Sequence, residues 1–175
     1  MTPGARISAV IELLDKIERS YSQAEEVVAS YMRGRRYIGS KDRRFISETV
    51  YSMLRHTAHL NWWTRTGSSR DKMIAYLARI ESITPHDLKQ IFDGKKYSPP
   101  PLNSTEMGTV LTKLRQPKKD SDLPIWVQAE FPEWLYVCMA SYWGEDFLKE
   151  AQALNMRAPV DLRAVSYTHL TLPTN

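Results

Sequence analysis

"YIGSKDRRFISETVYSMLRH", Tyr37 to His56, decides the fold. Phe45, Ile46, Val50, Met53 and Leu54 recur at steps of three and four, the spacing that gathers side chains on one face of an α-helix. Ser40 stands where an N-cap belongs, and Asp42 falls in the first turn, where the helix dipole favours an acid. Leu60 continues the stripe, so the stretch predicts one long helix from Ser40 to about Trp63, ended by Gly67.

Helices continue on both sides. Thr2 caps a helix with Pro3 in its first turn and Ile7, Val10, Ile11, Leu14 and Ile17 as its apolar stripe. "SQAE" at Ser22–Glu25 matches a capping box, followed by Ala24, Val27, Val28, Tyr31 and Met32; Gly34 and Gly39 then bracket a short connection. Downstream, a fourth helix is expected over Arg70–Ile80. "TPHDLKQIFDG" encodes a fifth, with Thr84 as cap, Pro85 inside the first turn and Gly94 as stop. "YSPPPLNS" cannot be helical, because successive prolines remove donors and fix an extended chain. A sixth helix spans roughly Thr105–Leu114. With no strand-like alternation before residue 155 and no repeat, residues 1–116 read as an all-α bundle of about six helices. Residues 117–124, within "RQPKKDSDLP", read as a solvated linker. Residues 125–164 supply two more short helices broken at Gly144, and "APVDLR" from Ala158 looks like the opening of a short strand.

A 42% hydrophobic, 25% charged composition is that of a soluble globular chain. The net charge is +4, yet Arg33–Arg44 alone carries +5, leaving the rest at −1. So local an excess attracts polyanions. A single cysteine, Cys138, excludes a disulfide framework or cysteine zinc site and suggests a reducing, cytoplasmic setting. Among Leu135, Val137, Met139 and Trp143 it reads as a small buried hydrophobe. His56, His59, His86 and His169 do not form a metal-ligand set; His56 and His59, three apart, read as satisfied or exposed. No apolar run has the length of a membrane span, and "MTPGARISAV" is too short and mixed for a secretory signal.

The basic run divides by role. Arg33, Arg35, Arg36, Lys41 and Arg44 cluster where a helix end, a turn and a helix start converge, and are expected to neutralise phosphates. Arg35 and Arg36 also suit the C-terminal dipole of the preceding helix. Ser40 and the first-turn amides add anion contacts, and Tyr37 can stack on a base. Asp42 and Arg43 read instead as part of the fold, Arg43 pairing with Glu48 or another acid, and Arg55 as partly structural. Trp62 and Trp63 are adjacent and cannot both face one core; one is expected inside, the other over a neighbouring helix or domain.

The Ser-Lys-Asp-Arg opening and the Val-Tyr-Ser-Met-Leu-Arg segment within Tyr37–His56 resemble the signature of NusB-like helical domains. These occur alone, as RNA-binding antitermination factors, or fused to Sun/Fmu-type 16S ribosomal RNA (cytosine-C5) methyltransferases. "FPEWL" (Phe131–Leu135) and "APVDLR" (Ala158–Arg163) are similar to segments of the fused form. The resemblance covers roughly residues 5–163. It implies a monomeric RNA-docking domain whose parent enzyme uses S-adenosylmethionine. In that family a cysteine thiolate attacks C6 of the cytosine, which needs a second cysteine and a Gly-rich cofactor turn. This chain has neither, so it is expected to be inactive alone, with 16S ribosomal RNA and its own catalytic domain as partners. The alternatives are a stand-alone NusB-like factor and a helical protein-interaction domain. After Arg163 the family pattern gives way to "AVSYTHLTLPTN", in which "VSYTHLTLPT" resembles a translated sequencing adapter; Val165–Asn175 is therefore expected to be non-native.

Overall fold

Thr2 Oγ1 accepts from Ala5 N at 3.2 Å and Pro3 occupies the first turn, which starts α1 (Pro3–Arg19) where the sequence places it. In the computed structural model, which describes residues 1–65, 67–114, 122–156 and 158, this helix is the hub. Its buried Ile7, Val10, Leu13 and Leu14 pack against α2 (Ala24–Gly34), α3 (Ser40–Arg55), α5 (Ser69–Arg79) and α6 (Pro85–Ile91). The main core joins Val10, Leu13, Ile46, Val50, Met53, Leu60, Met73, Leu88, Phe92 and Val110. Also present are α4 (Thr57–Thr64), α7 (Ser104–Thr109), α8 (Ile125–Gln128), α9 (Glu133–Trp143) and α10 (Phe147–Asn155). All regular structure among the described residues is helical, as the apolar periods predict.

Local chemistry fixes the connections. In α7, Asn103 and Glu106 form a capping box, each backbone N–H donating 2.8 Å to the other's side chain. Arg70 donates to the same Glu106 at 2.7 and 3.2 Å, and to the carbonyls of Pro100 and Pro101 at 2.9 and 3.1 Å. One guanidinium thereby ties the proline run to α5 and α7. Gly4 lets α1 approach α6 closely: a Cβ there would stand 2.7 Å from the Ile91 carbonyl oxygen. Backbone cannot yield as a side-chain tip can, so Gly4→Ala is expected to cost about 1–3 kcal/mol in urea unfolding. An unchanged midpoint would show that α1 shifts freely.

Several boundaries differ from expectation. Gly39, not Ser40, is the N-cap of α3, and Gln23 caps α2 without a side-chain bond, so the Ser22–Glu25 box does not form. Phe45 is partly exposed (37%), with the Arg6 guanidinium 5.4 Å from its ring centroid. The sixth expected helix begins at Ser104 and passes into a π-helical turn over Val110–Leu114. α4 ends on Arg65 in the left-handed region (φ 56°), before Gly67. Three short helices with a 3-10 turn at Gly144–Asp146, rather than two, follow the linker, and Leu123 at the linker's end is buried. The strand expected from Ala158, save Ala158 itself, lies outside the described residues, as do His169, the tail 165–175, and residues 117–121 of the linker.

The largest difference is that the Ser40–Trp63 helix breaks at His56 (φ −101°, ψ 23°). Four backbone groups at the break take partners other than the helical ones. Ala58 N and His59 N donate to Glu130 Oε2 at 2.8 and 3.3 Å. The Leu54 carbonyl accepts from Thr57 Oγ1 at 2.7 Å, and the Arg55 carbonyl from Asn155 Nδ2 at 3.2 Å. These substitutes lower the cost of the kink. Glu130 and Asn155 come from the second cluster, where Ala129, Phe147 and Ala151 are buried under Phe131, Tyr136, Met139 and Trp143.

Candidate nucleic-acid interface

The α2–α3 junction is closed by Arg43, whose Nε donates to the Ile38 carbonyl at 2.8 Å and Nη2 to that of Arg35 at 3.4 Å. The expected Arg43–Glu48 pair is not formed; Glu48 accepts from Arg44 Nε instead, at 3.1 Å. Asp42 does more than favour its helix dipole. It takes the N-terminal ammonium at 2.9 Å and Arg6 Nε at 2.6 Å, binding α1 to α3. The bond from the ammonium, helped by Arg6 and opposed by desolvation, holds its carboxyl below the usual carboxylate range.

The cations separate by environment. Arg35 is committed: Nη2 donates to Glu12 Oε1 at 2.7 Å and its guanidinium lies 3.7 Å from the Tyr31 ring centroid. Arg33, Arg36 and Lys41 are exposed, and among the described residues none has an ion-pair partner. Arg44, 75% exposed, keeps its head in solvent despite Glu48. Tyr37 is 74% exposed, and Ser40 is exposed as the first residue of α3. Arg55 lies apart from this group, in a cleft with Phe45, Glu48, Ser52, Tyr76 and Glu81. There the Tyr76 hydroxyl sits 2.8 Å from Glu81 and 3.0 Å from Ser52; burial, with Glu81, pushes its pKa up to about 12.

No family model, curated protein or solved structure matches this chain. What it can do is therefore read from its own geometry.

A second constellation escaped the sequence. Glu130, its side chain only 6% exposed, accepts at Oε1 from His56 Nδ1 (3.2 Å) and from His59 Nδ1. A carboxylate can only accept, so both Nδ1 atoms carry protons. Burial pushes the Glu130 carboxyl up, but the bonds from His56 and His59 outweigh it and the pKa lies below 4.5. The histidines are satisfied, as their spacing suggested, by an acid 71 and 74 residues away that no local pattern announces. Among the described residues, no His, Cys, Asp and Glu groups are placed to hold a metal ion.

Cys138 is exposed, contrary to expectation. Tyr136, Met139, Ala140 and Trp143 form the inward stripe of α9, and Cys138 falls on the opposite side with Trp134, Val137 and Tyr142, which are 69–82% exposed. Trp63 packs on the core with the Arg79 guanidinium 4.5 Å from its ring, while Trp62 is 41% exposed. No described helix is long and apolar enough to cross a membrane.

Proposed function

We propose that this bundle binds RNA through the α2–α3 junction. The observation that carries the proposal is the set of exposed cations Arg33, Arg36 and Lys41, unpaired among the described residues, beside exposed Tyr37, on a turn whose shape Arg43 fixes. Unpaired cations cost nothing to recruit, because no internal ion pair must break before a phosphate is met. With the NusB-like signature in α3 and the "FPEWL" segment opening α9, we read the chain as the RNA-docking part of an S-adenosylmethionine-dependent 16S ribosomal RNA (cytosine-C5) methyltransferase. The methyl transfer itself would belong to a catalytic domain outside this chain.

A salt titration tests the RNA reading. With Arg33, Arg36, Lys41 and Arg44 each meeting a phosphate, the logarithm of affinity for single-stranded RNA should fall against that of salt with a slope of roughly 3. Weak affinity that does not change with salt overturns it. The protein-interaction reading has one observation in its favour, the exposed face of Trp134, Val137 and Tyr142 on α9. Salt-independent capture of a protein with no RNA affinity would favour it.

A further inference from the structure

Beside the junction lies a cleft of about 690 Å³, within the range of about 300–1,000 Å³ usual for small-ligand sites. Its walls include Tyr37, Tyr97, Lys96 and Glu12, over a stretch of α1 where Ala5 and Ala9 leave space that larger side chains would fill. We propose that this cleft takes an unstacked base of single-stranded RNA, stacked on Tyr37 or Tyr97, with the phosphate held outside at Lys96 and Arg36. The proposal rests on the RNA reading above and adds to it a place where a base, rather than a phosphate, is bound.

Three observations converge on a base. First, two tyrosines from distant parts of the chain line one cleft while remaining 74% and 72% exposed, so neither ring is spent on the core. Second, Tyr97 is held at φ +73°, a conformation unfavourable for a bulky residue. Around it, Ser98 N donates to the Lys95 carbonyl at 2.8 Å and Lys95 N to Asp93 Oδ1 at 3.1 Å. An exposed ring presented by a strained turn is a feature that folding alone does not require. Third, charge sets the orientation of a nucleotide. Glu12 lines the cleft, accepting from the Tyr31 hydroxyl at 2.9 Å and from Arg35 at 2.7 Å. Each of its oxygens keeps acceptor capacity, which suits a base N–H, while Arg35, which also lines the cleft, neutralises its charge. Lys96 Nζ, 5.2 Å from the Tyr97 ring centroid, offers the phosphate its countercharge.

The test compares a short single-stranded RNA of mixed sequence with an abasic ribose-phosphate strand of equal length, using the whole chain. Tyr97→Gly removes the ring and suits the positive φ, so the fold is kept, which circular dichroism checks. It should weaken binding of the intact strand on the order of tenfold, leave abasic binding unchanged and keep the salt slope, while Tyr97→Phe retains full affinity. Tyr37→Ala should behave as Tyr97→Gly does if both rings hold the base. If wild type binds with the expected salt dependence but Tyr97→Gly and Tyr37→Ala change nothing, or weaken both strands alike, the cleft is refuted and the phosphate interface stands. If wild type binds neither strand, both proposals fall.

Discussion

Arg36→Glu combined with Lys41→Glu is expected to weaken RNA binding on the order of a hundredfold at physiological salt, with helicity and melting temperature unchanged. Each reversal removes one released counterion and sets a carboxylate against a phosphate, so the salt slope should also fall by roughly 1.4. These two positions isolate binding from folding, because both are exposed and form no ion pair among the described residues. Arg35 does not. A glutamate there would face Glu12 and lose the Tyr31 stack, so lost binding would not be separable from a damaged α1–α2 contact. Arg43 is worse still, since its removal opens the turn. Filter binding or fluorescence anisotropy across salt gives the answer, and full affinity in the double variant removes the junction as the interface.

Glu130→Ala should be the most destabilising single substitution at the histidine joint, at about 3 kcal/mol by urea denaturation. The change strands two backbone donors, Ala58 N and His59 N, and leaves His56 and His59 without their shared acceptor. Each unsatisfied buried group costs about 1–3 kcal/mol, partly recovered where water reaches the half-exposed His56. Glu130→Gln keeps an acceptor oxygen and should fall between. The pH dependence has a definite sign. Because the folded pKa lies below the unfolded 4.5, the carboxylate's contribution is fully present above that pH and fades as pH falls through the folded value. The stability gap between wild type and Glu130→Ala should therefore narrow in acid; a gap that is constant or widens below pH 4.5 contradicts the assignment.

Helix positions were legible because their signals are local. Thr2–Pro3 and Thr84–Pro85 cap α1 and α6 as their residue types dictate, and the stripes of α1 and α3, Phe45 excepted, point inward. The joint at His56 was not legible. The apolar period runs through it, and the groups that stabilise the break lie beyond the linker. The basic run showed its charge but not the separation of Arg35 from Arg36, because the two differ only through Glu12 and Tyr31, residues on other turns of helix. Cys138 shows the same limit. Its neighbours in sequence are apolar, yet burial follows the helix face, and its face is turned outward.

The repaired break also ties the shape of the bundle to the order in which the chain is made. When α3 and α4 leave the ribosome, the acid and amide that satisfy their interruption, 74 and 100 residues later, have not been synthesised. Until then the arrangement that satisfies those amides and carbonyls with local groups alone is an unbroken rod through Leu60, the one its apolar period describes. The bend is thus held by groups that the chain supplies only after the bundle's own helices, and it depends on the second cluster being in place.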